Sequence, residues 1–130
     1  MTSLIGHGID LVETSRIAAM LERHGEQFLS RCFTDSERAY CRESERRHVE
    51  RLAVRFAAKE AVLKALGTGW RDGIAWTDIE VVREPSGRPG VRVRGQAAIV
   101  AAELGVRGWQ ISLTHTERYA MASAIALGEA

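Results

Sequence analysis

A chain of 130 residues, 45% of them hydrophobic, suits one domain over 1–130 with a core of its own. At this size it is small to enclose a deep pocket alone, which leaves room for a site shared between subunits. With 18 basic and 17 acidic residues the net charge is +1, and no stretch reaches the roughly 18 apolar residues of a membrane span, so neither nucleic acid nor membrane is expected as a partner.

The opening residues carry neither a basic start nor a long apolar run, so no secretory signal is expected and the cytoplasm is the expected compartment. Leu4 to Val12 reads as a strand, with Ile5, His7, Ile9 and Leu11 on one face and Gly6, Gly8, Asp10 and Val12 on the other. The aliphatic face is the expected core side, which makes His7 structural. Glycine weakens a strand and marks places where something comes close to the backbone, so the second face presents Asp10 beside cleared space.

Glu13 to Arg23 reads as a helix, with Ser15 as a candidate cap, Ile17, Met20 and Leu21 on its apolar stripe and Gly25 ending it. A short helical piece over Phe28 to Cys32 follows. Thr34-Asp-Ser-Glu37 then has the spacing of a capping box, opening a helix to about Arg42. Cys32 and Cys41, the only cysteines, form neither a disulfide framework nor a zinc pattern and read as free thiols. Charge-rich Arg42 to Arg51 reads as a solvated turn.

Leu52 to Leu66 is apolar almost all the way round a helical wheel, the mark of a buried helix. Arg55, Lys59, Glu60 and Lys64 nonetheless interrupt it, and the two lysines are the only ones in the chain. Glu60 and Lys64 lie one turn apart, on a side lined by Ala53 and Ala57. Gly67 and Gly69 then supply a helix stop and a flexible backbone around Thr68.

After a loop from Gly69 to Trp76, Asp78 to Arg83 alternates as a strand. A turn over Pro85 to Pro89 brings Val91 to Arg94 back as its hairpin partner. Gln96 to Leu104 reads as a short helix closed by Gly105. Trp109 to His115 and Tyr119 to Leu127 read as strands joined at Thr116 to Arg118. Ala120, Ala122, Ala124 and Ala126 give the last strand a smooth face against which the long helix can pack closely. The expected class is α+β, a single domain with a mainly antiparallel sheet packed against a long buried helix.

Asp10 and Glu60 are the leading candidates for chemistry. A hard divalent cation takes oxygen ligands, often one or two carboxylates with water and phosphate completing the shell. A carboxylate on a buried helix needs a partner, and a metal would serve both acids. The same residues admit a plainer reading: Glu60 and Lys64 form an intrahelical pair while Asp10 caps the next helix. Lys64, Arg55 and Lys59 could bind phosphate, or could snorkel from a buried helix into solvent. His115, at a strand end before a turn, could contact a phosphate, act as acid or base, or cap the loop. No nucleophile-elbow motif frames any serine.

Gly8-Ile-Asp10-Leu-Val-Glu13 with Arg16-Ile17 resembles the opening of the holo-[acyl-carrier-protein] synthases, the short bacterial 4′-phosphopantetheinyl transferases. Arg55-Phe-Ala-Ala-Lys59-Glu60-Ala, running to Lys64-Ala-Leu-Gly-Thr-Gly69, resembles their second signature. Ser112-Leu-Thr-His115-Thr116 resembles their third, and Trp76-Thr-Asp78-Ile-Glu80 suits the strand between. The resemblance implies the 4′-phosphopantetheinyl transferase fold and transfer of the phosphopantetheine group of coenzyme A to a serine of an apo acyl carrier protein, of fatty-acid or polyketide type. By the same resemblance Asp10 and Glu60 bind magnesium, which holds the pyrophosphate, and Glu60, Asp10 and Lys64 are the catalytic set. Lys64 contacts phosphate, and Arg55, His115, Thr116, Gly67 and Gly69 belong to the coenzyme A site. It also implies a homotrimer with active sites across subunit boundaries, and a carrier-protein surface including Arg16, Met20, Arg23 and Phe28. The segment from Glu22 to Arg31 departs from the family pattern in length and charge. Two other functions share these features: another magnesium-dependent nucleotide or phosphate transferase on the same fold, and a trimeric scaffold that binds acidic helices without catalysis.

Overall fold

The computed structural model describes residues 2–70 and 73–129. Arg71 and Asp72, within the loop expected between Gly69 and Trp76, lie outside the described residues, as do Met1 and Ala130. In chain order the elements are β1 (Thr2–Glu13), α1 (Thr14–His24), α2 (Glu26–Cys32), α3 (Asp35–Arg42), α4 (His48–Leu66), a 3₁₀ turn (Trp76–Asp78), β2 (Ile79–Arg83), β3 (Pro89–Val93), α5 (Gly95–Glu103), β4 (Val106–His115) and β5 (Tyr119–Glu129). The strands form an antiparallel three-stranded sheet in the order β1-β5-β4 and a separate β2-β3 hairpin. This is the expected α+β class. No helix of the described residues is long and apolar enough to cross a membrane.

Small residues decide how the long helix meets the sheet. Gly6, Gly8, Asp10 and Val12 of β1 pair with Ala126, Ala124, Ala122 and Ala120 of β5, and all four alanines are buried. A Cβ at Gly6 would collide with the carbonyl oxygen of Ala65. One at Gly8 would collide with that of Ala61 and come within 2.8 Å of the Ala65 nitrogen. The α4 backbone therefore rests directly on the strand, and the space the glycines clear is filled by the helix itself. The alanine face of β5 packs as the sequence predicts.

The two faces of β1 are the reverse of the expectation. Ile9 and Leu11 are 53% and 61% exposed, and His7, also exposed, shares a hydrogen bond of 3.1 Å with the Ser123 hydroxyl on the outer face. Hydropathy alone assigns the aliphatic side inward. Here backbone contact with α4 outweighs it, and only the glycine side permits that approach.

Other boundaries shift for local reasons. The first helix follows the strand without a break, and Ser15 lies inside it, not at its cap. The neighbouring Thr14 instead ties the junction to the β4–β5 turn, its hydroxyl donating to the Glu117 carbonyl at 2.6 Å and its N–H to Arg118 at 2.9 Å. The Thr34–Glu37 capping box forms as predicted, the Thr34 N–H donating to Glu37 Oε1 at 2.9 Å. The solvated turn is shorter than expected, because α4 begins at His48, one turn before Leu52. Cys32 and Cys41 are free and buried, and desolvation pushes both thiols up to about 11, which leaves them unreactive at neutral pH.

Candidate active site

The inner face of β1 and one side of α4 bring Asp10, Glu60 and Lys64 to the same place. Lys64 Nζ donates to Asp10 Oδ1 at 3.1 Å and to the Ile9 carbonyl at 2.9 Å. The ammonium thus serves the acid on the strand, not Glu60 one turn away, and neither half of the plainer reading describes the structure. Asp10 does not cap α1, whose N-cap is Glu13. Glu60 is half-buried, and its Oε1 accepts the Trp70 indole N–H at 3.4 Å.

Burial raises the Glu60 pKa above the ordinary carboxylate value and the charge of Asp10 raises it further, against the Trp70 hydrogen bond and the charges of Lys64 and Arg16. Two carboxylates thus feel one another, with the cationic charges of Lys64 and Arg16 close by. No cluster of three or more His, Cys, Asp or Glu side chains occurs among the described residues. A donor set of two carboxylates suits a hard cation that keeps positions open for water and phosphate, and not a zinc cage.

Glu60 also forms part of the wall of a groove of about 490 Å³ between α1, α2 and α4. Arg16 and Met20 line it, and Phe28 contributes from below, buried and packed edge-on against Phe33 at 5.6 Å. Arg23 is exposed and is not one of the lining residues.

The residues expected at the nucleotide end gather elsewhere. Arg55 is buried, with its guanidinium 4.3 Å from the centre of the Tyr40 ring and its Nε without a hydrogen-bond partner. With His115, Arg47, Arg51 and Arg83 it lines a pocket of about 260 Å³. A second pocket, of about 480 Å³, adjoins at His115 and continues to Thr116 and Arg46. Thr116 accepts the Arg118 and Tyr119 N–H groups at 3.2 and 3.1 Å, which shapes the turn. Neither pocket shares a lining residue with the groove at Glu60. At about 100° per residue, Arg55 and Lys64 point to opposite sides of α4. The acids and the arginine-lined pockets therefore lie in separate places on the chain.

Lys59 leaves the phosphate-binding set. It is fully buried and donates to Glu37 Oε1 at 2.8 Å, the Ile79 carbonyl at 2.5 Å and the Trp76 carbonyl at 3.2 Å, while Glu37 Oε2 accepts the Val81 N–H at 2.8 Å. An ammonium has three protons to donate, and all three are used. Gly67 closes α4 in a left-handed conformation (φ 78°), and Gly69 also has positive φ (60°), a backbone that glycine adopts without steric cost. Sequence reasoning missed Tyr40, which stacks against Arg51, Arg55 and Arg83, and Trp70, whose only sequence signal is an aromatic residue directly after the second glycine.

The 4′-phosphopantetheinyl transferase superfamily matches residues 6–124, a span that includes every candidate residue from Asp10 to Thr116. A holo-[acyl-carrier-protein] synthase from Koribacter versatilis is 52% identical over 122 residues, covering 94% of this chain and 97% of its own. Among solved structures, a Plasmodium yoelii acyl carrier protein synthase with ADP bound superposes with a TM-score of 0.87 at 29% identity, covering 100% of this chain and 99% of its own. A Bacillus anthracis holo-(acyl-carrier-protein) synthase in complex with CoA (3′,5′-ADP) does so with a TM-score of 0.80 at 31% identity, covering 97% and 98%. The chain belongs to the 4′-phosphopantetheinyl transferase superfamily, among its holo-[acyl-carrier-protein] synthases.

Proposed function

We propose that this chain transfers the 4′-phosphopantetheine group from coenzyme A to a serine hydroxyl of an apo acyl carrier protein in the cytoplasm, with a magnesium ion held by Asp10 and Glu60. The observation that carries it is the convergence of these two acids, from a strand and a helix far apart in sequence, beside Lys64.

The serine oxygen forms a bond to the β-phosphorus of coenzyme A as the bridging P–O bond to the α-phosphate breaks, and 3′,5′-ADP leaves with that oxygen. When bound, magnesium supplies positive charge to the diphosphate oxygens. Glu60, whose burial raises its proton affinity, takes the serine proton. Lys64, on an exposed stem, can exchange Asp10 for a phosphate oxygen and offset the charge that grows there. Arg55, His115 and Thr116 bind the nucleotide end, and Gly67 and Gly69 let the backbone approach the phosphates. Arg16, Met20 and Arg23 face the acidic recognition helix of the carrier, with Phe28 supporting them from the core.

Because the acid cluster and the arginine pockets occupy separate places in one chain, a complete site needs a second subunit. A homotrimer with sites at its boundaries, built from one catalytic unit over 1–130, meets that need.

The test is intact-mass measurement of apo carrier proteins incubated with coenzyme A and magnesium. A gain of one phosphopantetheine group is expected, and an unchanged mass across fatty-acid and polyketide carriers would defeat the proposal. Glu60→Gln should fold and lose at least about 100-fold in turnover. Near-normal turnover at saturating magnesium would remove Glu60 from its role.

A further inference from the structure

Trp70 closes a ring of contacts that returns to Glu60. Its side chain stacks on Trp76, with centroids 3.8 Å apart and planes at 33°, and Trp76 stacks on Phe56 at 4.7 Å and 27°. Phe56 lies on α4 one turn before Glu60. The Trp76 backbone is held in turn, since its carbonyl accepts from the fully buried Lys59 ammonium at 3.2 Å. The position and tilt of the Trp70 indole are thus set by an aromatic stack tied to the core.

An indole has one polar group, an N–H that can only donate. In this stack it donates to Glu60 Oε1 at 3.4 Å, and among the described residues it is the only hydrogen-bond donor to that carboxylate. Glu60 otherwise ends a flexible side chain at the wall of an open groove. Lys64, the other candidate donor, is engaged with Asp10 and Ile9. Holding one carboxylate oxygen fixes the direction of the other, the usual task of groups behind a metal ligand.

We propose that Trp70 is a positioning residue whose indole N–H orients the Glu60 carboxylate to meet a divalent cation shared with Asp10. The inference rests on the assignment of Asp10 and Glu60 as cation ligands. It adds that the turn after α4 contributes a side chain, besides its glycine backbone, to the order of the site.

The test measures Mn²⁺ binding by electron paramagnetic resonance in the intact protein without coenzyme A. Trp70→Phe keeps a ring in the stack and removes the N–H, and it should weaken Mn²⁺ binding by about 10-fold, the low end of effects behind a metal ligand, as suits a long hydrogen bond. Glu60→Gln should also weaken binding, and adding Trp70→Phe to it should cost nothing more, because the indole acts only through the carboxylate. Unchanged affinity in Trp70→Phe, or an equal further loss in the Glu60→Gln background, overturns the positioning role while leaving the two-acid site intact. Unchanged affinity in Glu60→Gln itself overturns the two-acid site and this role with it. Should Trp70→Phe not fold, the tryptophan emission of the unsubstituted protein decides the matter. It should shift on Mn²⁺ binding, and the shift should be absent in Glu60→Gln. Binding without a shift overturns the proposal.

Discussion

Lys59 and Lys64 stand five residues apart on one helix and do opposite work. Lys64 is 54% exposed and can leave Asp10 for a ligand, whereas Lys59 is sealed inside with three acceptors. Burial lowers the Lys59 pKa and the adjacent Glu37 carboxylate opposes that shift, so the ammonium depends on its partner. Replacing Lys59 with Met would leave Glu37 buried without a counter-charge, which costs about 3–5 kcal/mol. Equilibrium urea unfolding should show a loss of that size, and adding Glu37→Gln should recover part of it. A wheel drawn for α4 cannot distinguish the two lysines, because what separates them is a carboxylate 22 residues away in sequence. The Thr34–Glu37 capping box was legible because its bonds are local. Its second task, receiving Lys59 on the same Oε1 that accepts the Thr34 N–H, depends on a helix packing that no short window contains.

At the level of elements, the long buried helix, the alanine face beneath it and the hairpin were readable from periodicity and turn residues. The facing of β1 was not, because hydropathy and shape conflict there. Ile9 and Leu11 argue for one side, Gly6 and Gly8 for the other, and close approach of backbone to backbone decides it. Gly8→Ala tests this reading. Its Cβ would meet helix backbone on α4 and not the movable end of a side chain, so relief requires shifting the helix off the strand. Overpacking of this kind costs about 3 kcal/mol, and thermal unfolding should show the loss. The same shift would part Asp10 from Lys64 and Glu60, so the surviving folded protein should also bind Mn²⁺ more weakly. An alanine at position 8 that left both stability and metal affinity unchanged would mean that α4 does not rest on β1 as described.

For the whole molecule, what matters is the face of the sheet turned away from α4. Leu4, Ile9, Leu11 and Met121 stand exposed across paired strands β1 and β5, on the face that also carries the His7–Ser123 hydrogen bond, and exposed apolar residues gathered on one face mark a protein interface. The proposed site points the same way, since the acids and the arginine pockets lie on opposite sides of α4. The sequence signalled only the need, a chain small for its task, and not the surface, because the aliphatic face of β1 read as core. Leu11→Asp joins the two observations. It lies on that surface, paired with Met121, with its side chain on the face of β1 opposite Asp10. A charge there cannot be buried without a partner, so sedimentation equilibrium should give a three-chain mass for the unsubstituted protein and a single-chain mass for the variant. Far-UV circular dichroism should be unchanged, since the substituted side chain already faces solvent in the isolated chain. Transfer of phosphopantetheine should nonetheless be lost, because the acids of each chain would then lack the arginines of a neighbouring chain. A monomeric Leu11→Asp that modifies carrier protein at the normal rate would show that one chain completes the site alone.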